Sequence, residues 1–388
     1  MISINKNNRN KCNGCTACKI GCPTNCISMK EDNLGFLYPH VDENKCIDCS
    51  FCERVCPELN QKSNIISFQK EVYAAFSKND SLRKNSSSGG IFSLIATSVI
   101  MDKGIVFGAA FEEDFHSVKH ILISSIEDLH KIRGSKYAQS NLNNTFVEVK
   151  KNLDEGKKVL FSGTPCQIAG LNSFLQKRYD NLYLIDFVCH GVPAPSVWKE
   201  YIKYLEKKAK GKACYVTFRD KRNGWANYSL KVIFNNKKSY IKEYSDDMYM
   251  RGFLHDYYLR PSCYDCAHKG IDRISDITLG DLWGADKIIP EHNDDKGISL
   301  VIVSSSKGSD LLKGIKNNVC SVPIDISDVL LANSALIDSA KMHQGVVAFE
   351  KEFQNYSIES ILRKYCSRDF FSWFKMNIKR SIKKWFSK

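Results

Sequence analysis

Eight cysteines in two copies of one spacing constrain this chain before anything else does. The run Cys12-x2-Cys15-x2-Cys18-x3-Cys22-Pro23 recurs 34 residues later as Cys46-x2-Cys49-x2-Cys52-x3-Cys56-Pro57. Three closely spaced thiolates wrap one four-iron cubane corner by corner. The fourth, after a three-residue step and before proline, reaches across to the other cubane. The spacing therefore predicts one 4Fe-4S cluster on Cys12, Cys15, Cys18 and Cys56, and a second on Cys46, Cys49, Cys52 and Cys22. A pair of four-thiolate zinc sites would use eight thiolates as well, but would not explain the repeated final step and proline. Gly14 and Gly21 suit a tight backbone path that points amides at cluster sulfurs. Cys26, the ninth cysteine of this stretch, reads as a small apolar side chain packed beside a cluster.

Nine of the sixteen cysteines lie between Cys12 and Cys56, so the N-terminal part reads as a separate module of a 388-residue chain long enough for two or three domains. Its thiol density fits metal binding in a reducing compartment better than a disulfide framework. The first thirty residues carry five cysteines and no unbroken apolar run, unlike a secretory signal. The longest apolar stretch, Ile91 to Met101, is interrupted by Ser93, Thr97 and Ser98 and stops at Asp102, too short to span a bilayer. A cytoplasmic location is expected. The net charge of +13 resembles a nucleic-acid signal until anionic cofactors are subtracted. Three cubanes at about −2 each and a dinucleotide diphosphate would remove roughly 8 charges. No zinc-finger spacing, helix-turn-helix or aromatic RNA-binding sequence is present, so no nucleic-acid partner is expected.

Two interlocked cubanes with no open iron position form an electron wire, so the chemistry belongs to the remainder. From about residue 70, β-branched or aromatic runs alternate with helical stretches, the pattern of an α/β or α+β body. Strands are expected at Val72–Ser77, Gly104–Phe111, Lys157–Phe161, Leu182–Phe187 and Ile298–Val303, and helices at Ile91–Met101, Thr145–Leu153, Cys166–Leu175 and Val197–Lys207. Ala213 to Tyr244 reads as a hairpin turning at Asn235-Asn236. Ser86-Ser87-Ser88-Gly89-Gly90, just before the Ile91 helix, combines hydroxyls, glycines and free helix amides. It reads either as an anion cradle suited to a diphosphate or as a plain capped helix after a loop. Gly134 to Ser140 places a cation, a phenol and an amide close together. Cys166 and Cys189 follow expected strands, where α/β sheets place their sites, and Cys263-x2-Cys266 is a chelate-type pair. These four read as a third cubane, a redox dithiol, a zinc site or buried structural thiols. Cys214, Cys320 and Cys366 read as packing residues.

The dicluster run followed by SSSGG, GSKYAQS, SGTPCQIAGL, VCHGVP, CYDCAHKG and ISDITLGDLWG resembles the beta subunits of coenzyme F420 hydrogenases and dehydrogenases, over residues 8 to 310. The resemblance implies a ferredoxin-like dicluster module followed by a mixed α/β flavin-binding body. It divides the chain into a ferredoxin module at 1–65, a catalytic body at 66–320 and a helical C-terminal region at 321–388. It implies that Ser87, Ser88, Gly89 and Gly90 hold FAD phosphates, that Lys136, Tyr137, Gln139 and Ser140 line the flavin, and that Thr164 and Gln167 flank Cys166 on the flavin side. It also assigns Cys166, Cys189, Cys263 and Cys266 to a third 4Fe-4S cluster. Gly280, Asp281, Trp283 and Gly284 form a turn of the same family type, with no role assigned.

The implied activity is an oxidoreductase. Single electrons from a ferredoxin or another low-potential donor pass through the clusters to FAD, which reduces or oxidises a small organic substrate by two electrons. His190 and Tyr137 are the candidate proton donors. The Lys-, Asn- and Ile-rich composition points to an AT-rich bacterium rather than a methanogen, and the resemblance to bacterial members of polysaccharide loci suggests a sugar or glycan precursor in polysaccharide biosynthesis as the substrate. The alternative is a non-catalytic electron-transfer subunit whose partner holds the substrate. Beyond residue 310 the resemblance fades. Phe371, Phe374, Ile378, Ile382 and Trp385 fall at helical spacing with Lys375, Lys379, Arg380, Lys383 and Lys384 between them, a pattern that suits an anionic membrane surface or a docked terminal helix. Peripheral membrane contact through this tail predicts that the full-length chain floats with anionic liposomes; recovery only in the soluble fraction rules the anchor out.

Overall fold

The computed structural model describes residues 10–60 and 68–367, so the basic aromatic tail lies outside the described residues. The N-terminal module contains one antiparallel pair, β1 (Ile27–Glu31) and β2 (Leu37–Val41), and two single-turn helices, Ala17–Ile20 and Phe51–Arg54. The sequence repeat is visible in the backbone. Gly14 and Asp48, 34 residues apart, both take positive φ (73° and 51°), and so do Thr16 and Ser50 (65° and 54°). Left-handed residues in such loops turn successive amides inward and form an anion-attracting nest. Asp48, Thr16 and Ser50 adopt this conformation without the freedom of glycine, so something else holds the loops in shape.

The body is built on one eight-stranded mixed sheet. Its strands are β3 (Glu71–Ser77), β4 (Ile105–Phe111), β5 (Val118–Ile123), β6 (Val159–Ser162), β7 (Leu182–Phe187), β11 (Ile277–Asp281), β12 (Ser299–Val303) and β13 (Val319–Pro323), in the order β13-β3-β12-β11-β7-β6-β4-β5. The four central strands β11, β7, β6 and β4 are parallel, and β12, β3, β13 and β5 pair antiparallel around them. Two antiparallel steps make β3 run in the same direction as β11. The carboxyl ends of β3, β4, β6, β7 and β11 therefore share one edge of the sheet, the edge where open α/β sheets carry their ligands. The mixed α/β fold has apolar layers on both faces, one of them beneath the Ile91–Met101 helix and the other beneath Thr145–Asp154 and Pro165–Leu175.

The region 213–244 is a three-stranded meander, not a single hairpin: β8 (Ala213–Asp220), β9 (Ser229–Phe234) and β10 (Ser239–Glu243), with Asn235-Asn236 turning β9 into β10. The break between β8 and β9 holds Gly224 at φ 96° and the buried Trp225, a loop that apolar patterning alone does not reveal. The five strands expected from the sequence all form, with ends shifted by up to two residues, and β13 crosses the boundary expected at residue 320. The described C-terminal helix Ile358–Cys366 packs back on the Met248–Leu254 helix, where Arg251 donates to the Cys366 carbonyl at 2.6 Å.

Module and body share apolar layers: Cys15, Ala17 and Val55 pack with Phe146, Phe161 and Ile168, and Leu34 and Phe36 with Trp198 and Tyr258. A close approach is at Gly170, in the middle of the Pro165–Leu175 helix, where an added Cβ would sit 2.5 Å from Cys15 Cβ and 3.0 Å from its sulfur. Glycine costs a helix about 1 kcal/mol relative to alanine, and here the close approach of a cluster-loop cysteine requires it. Gly170→Ala is expected to destabilise the chain by about 1–3 kcal/mol through overpacking, read as a lower thermal midpoint. An unchanged or higher midpoint would contradict this packing.

Candidate functional site

Two cavities in the module collect its cysteines in an interleaved arrangement. Cys12, Cys15, Cys18 and Cys56 line one, with Asn13, Gly14 and Glu58; Cys22, Cys46, Cys49 and Cys52 line the other, with Cys26 and Asp48. Each copy of the repeat thus sends its fourth cysteine to the other copy's cavity. Cys26 stands 3.3 Å from Cys22, sulfur to sulfur. Burial pushes the Cys56 thiol up to about 11. Cys22 is held at about 7, because hydrogen bonds from Thr24 and Cys26 outweigh its own burial. Among the described residues, no three His, Cys, Asp or Glu side chains converge tightly enough to hold a single metal ion. Four cysteines of the two repeats line each cavity, the number a 4Fe-4S cluster needs.

The four cysteines left open by the sequence meet in a third cavity of about 530 Å3, counted to its open mouth. Cys166 enters in the first turn of the Pro165–Leu175 helix, where Thr164 and Gln167 form a reciprocal capping box. Cys189 follows β7 directly, and Cys263 and Cys266 come from the turn Pro261–Asp265 and the residue after it. The Val192 amide donates to the Cys263 sulfur at 3.4 Å, and the Thr164 hydroxyl lies 3.1 Å from that of Cys166. Burial raises the Cys189 thiol to about 11 against the pull of Lys269, and raises Cys263 to about 12. Asn13 and Glu58, which wall the Cys12 cavity, also wall this one. Glu58 accepts from Asn13 at 2.7 Å and lies 2.8 Å from His268 of the body. His190 lines the same cavity, with its ring nitrogen 2.6 Å from Asp256.

Arg260, which sequence reasoning missed, joins these parts. Its guanidinium is 1% exposed and donates to the carbonyls of Cys12 (2.6 Å) and Leu37 (2.8 Å) and to Gln139 Oε1 (2.9 Å), with one nitrogen 3.7 Å from Cys12 Sγ. Gln139 in turn donates to the Asn13 carbonyl, and Ser140 accepts from Gln167 at 2.9 Å. Gln139, Ser140, Thr164 and Gln167 thus form hydrogen-bonded links from the first cluster loop to the start of the Cys166 helix.

The stretch 86–90 sits on the same sheet edge. Gly89 packs against the strands, where a Cβ would meet the Ala75 carbonyl at 2.4 Å, and its amide donates to Ser299 Oγ. Ser88 donates to the Ile298 carbonyl, and Ser87 Oγ lies 2.8 Å from the Ser135 amide. The hydroxyls of Ser87 and Ser88 and the Gly89 amide therefore hold the loop in place. Gly90, at φ 90°, caps the Ile91–Met101 helix without a side-chain bond. Besides Lys221, which donates to the Ser88 carbonyl, two cations beside the helix start have no carboxylate partner among the described residues. Arg133 donates to Ser93 Oγ in the first helical turn at 3.0 Å, and Lys136 donates to the carbonyls of Arg133 and Gly134. Burial, helped by Arg133, lowers the Lys136 amine to about 7. A helix N-terminus with two uncompensated, partly desolvated cations suits a diphosphate.

Tyr137 contributes more to packing than the sequence suggests. Its ring lies against Phe218 and Phe253, and its hydroxyl accepts from Arg219 at 3.3 Å. The turn after β11 also acquires a role. Asp281 pairs with Arg219 at 2.9 Å and accepts from Trp225, which stacks on Trp283 at 5.0 Å. Arg219 reaches the Ser87 carbonyl, and Lys221 the Ser88 carbonyl, so this turn braces the serine-glycine loop through the meander. Arg133 borders the GSKYAQS stretch and is a signal the sequence offered; Arg219, Lys221 and Arg260 carry no local signature.

Three family models match the chain. These are the 4Fe-4S dicluster domain at residues 11–60, the coenzyme F420 hydrogenase/dehydrogenase beta subunit N-term at 72–146 and its C terminus at 156–325; the last two together cover more than half of the chain. The coenzyme F420-dependent sulfite reductase of Methanocaldococcus jannaschii is 22% identical over 316 residues, 79% of this chain and 46% of the relative. The chain thus spans about half the length of that curated relative. A chain in the xenon-derivatized F420-reducing NiFe hydrogenase complex of Methanosarcina barkeri superposes with a TM-score of 0.45 at 14% identity, over 76% of this chain and 90% of that one. No helix among the described residues is long and apolar enough to cross a membrane.

The depressed Lys136 amine sets a pH dependence of two signs. In the ligand-free chain the unfolded lysine, near its ordinary 10.5, binds more protons than the folded one from about pH 7 upward, so stability rises with pH across that window. A bound diphosphate needs the charged amine, so ADP binding measured by calorimetry should weaken as pH climbs from about 7 to 9. Lys136→Gln should bind more weakly at pH 7 and flatten the profile; an unchanged profile would remove Lys136 from the cradle.

Proposed function

The chain belongs to the family of coenzyme F420 hydrogenase/dehydrogenase beta subunits, with a dicluster ferredoxin module before it, and on that premise we propose that it is an iron–sulfur flavoprotein oxidoreductase. The observation that carries the reading is the third cavity. Four cysteines from three separate segments meet there, and the cavity shares the wall of Asn13 and Glu58 with the Cys12 cavity. When bound, the clusters supply one-electron transfer and FAD supplies a reductant that accepts electrons singly and delivers two.

The residues of the chain divide these tasks. Cys22, Cys46, Cys49 and Cys52 hold the outermost cluster, and Cys49 is exposed, which offers a ferredoxin-type donor an entry point. Cys12, Cys15, Cys18 and Cys56 hold the next, and Cys166, Cys189, Cys263 and Cys266 the innermost. Arg133, Lys136 and the amides that open the Ile91 helix would hold the FAD diphosphate, while Gly89 and Gly90 let the loop approach. Gln139, Ser140, Thr164 and Gln167 position the flavin side against Cys166 by the hydrogen bonds they already share. The relatives' descriptions do not point to a sugar, so the proposed acceptor is a small organic molecule that takes two electrons.

The length of the sulfite reductase relative favours a second reading, in which this chain feeds electrons to a further domain or subunit that holds the substrate. The two readings part in one assay. The anaerobically purified chain is mixed with reduced ferredoxin and a small two-electron acceptor such as a deazaflavin coenzyme or a quinone. Turnover by the chain alone, abolished in Cys166→Ser, is the expected outcome. Turnover only after a partner protein is added would establish the electron-transfer subunit, and reduced-ferredoxin oxidation that survives Cys166→Ser would remove the third cluster from the route.

A further inference from the structure

We propose that the third cavity is the electron sink of the chain: its cluster holds an added electron more tightly than either cluster of the N-terminal module. The inference rests on the three-cluster reading above and assigns an order to the clusters that the reading leaves open.

Charge is distributed unequally around the three cavities. Among the described residues, the one charged side chain lining the Cys22 cavity is Asp48, which also lies 3.7 Å from Cys46 Sγ, and the one lining the Cys12 cavity is Glu58. The third cavity is lined by three cations, Arg260, Lys269 and Arg273, and by the imidazoles of His190 and His268, with Glu58 as its one acidic lining residue among the described residues. Of the three cations Arg273 is partnered by an acid, Asp186, at 3.4 Å, while the His268 and His190 rings lie 2.8 Å from Glu58 and 2.6 Å from Asp256. The other two cations are not. Lys269 donates to the carbonyls of Cys189 (2.6 Å) and Ala335 (2.8 Å), and Arg260 to carbonyls and an amide oxygen, with no carboxylate on either among the described residues.

Adding one electron to a four-thiolate cubane takes its net charge from about −2 to −3, so nearby fixed positive charge favours the reduced state. The electron leaves a module cluster and enters the third, with no proton or bond exchanged. Lys269 acts on the third cluster alone. Arg260, 3.7 Å from Cys12 Sγ and on the wall of the third cavity, acts on the first and third clusters both, so the order between those two rests on Lys269. The exposure of Cys49 works the other way, since solvent also stabilises the reduced form. Water screens its own field, whereas the half-buried Lys269 and buried Arg260 act in a low-dielectric setting. The order drives single electrons inward, toward the side where Cys166 adjoins Gln167, and keeps them from returning to the donor face.

The test is an anaerobic, EPR-monitored potentiometric titration of the full-length cluster-loaded chain. Cys266→Ser identifies the signal of the third cluster as the one it removes, with iron falling from about twelve to eight per chain. In the wild-type chain that signal is expected to appear first, at a potential at least tenfold more favourable for the electron than the next, about 59 mV for one electron. Lys269→Gln, which keeps a donor for the two carbonyls and removes the charge, should lower the third potential and leave the other two in place, and Lys269→Arg should restore it. A third cluster that titrates with or below the module clusters overturns the proposal. So does a Lys269→Gln variant that retains its iron but has unchanged potentials. If the variant loses iron, the wild-type order alone decides. Eight irons in the wild-type chain would instead refute the three-cluster reading itself, a failure distinct from twelve irons in the wrong order.

Discussion

A single guanidinium, that of Arg260, lies at the point where the ferredoxin-like module, the third cysteine cavity and the Gln139 links meet. It is sandwiched near Phe36 and Tyr38, its carbon 5.3 and 4.4 Å from their ring centres, and bonds two module carbonyls and one body side chain. Burying a cation without a carboxylate is costly, and hydrogen bonds to neutral oxygens offset only part of the penalty. A cluster on each side, both anionic, would remove the rest. Gly14 belongs to the same constraint, because a Cβ there would lie 2.8 Å from the Arg260 nitrogen.

The same reasoning extends across the sheet edge. Lys269 beside the third cavity, and Arg133 and Lys136 at the head of the Ile91 helix, are partly or wholly withdrawn from water and have no acidic partner among the described residues. Each sits where an anionic occupant is expected. Part of the net charge of +13 is therefore carried by cations withdrawn from the surface rather than displayed on it. The bracing groups differ in kind. Arg219 is neutralised by Asp281, whereas Lys221, like Lys136, donates to backbone carbonyls alone; both Arg219 and Lys221 shape the serine-glycine loop.

Much of this was legible in the residues, for identifiable reasons. The cysteine repeat encodes its own interleaving, because spacing and proline are local properties that survive without knowledge of the fold. Buried strands such as β7 and β12 read clearly, since both of their faces are apolar. β5, β11 and β13 did not: β5 alternates Lys119 and His120 with apolar neighbours at the sheet edge, β11 carries Gly280 and Asp281, and β13 ends in Pro323. The meeting of Cys166, Cys189, Cys263 and Cys266 depends on the order of β6, β7 and β11 in the sheet, which no local spacing records. Arg260 is the sharpest case. It lies 248 residues from the Cys12 carbonyl it binds, and in sequence it is an arginine before a proline.

The proposed redox site joins three thiolate cavities and an anion cradle in one chain. Quantitation of iron, acid-labile sulfide and released flavin on a single anaerobically purified sample tests it most directly. The account predicts about twelve irons, as many sulfides, and one FAD per chain. About eight irons with no flavin would contradict it and leave a ferredoxin module attached to a body of different chemistry.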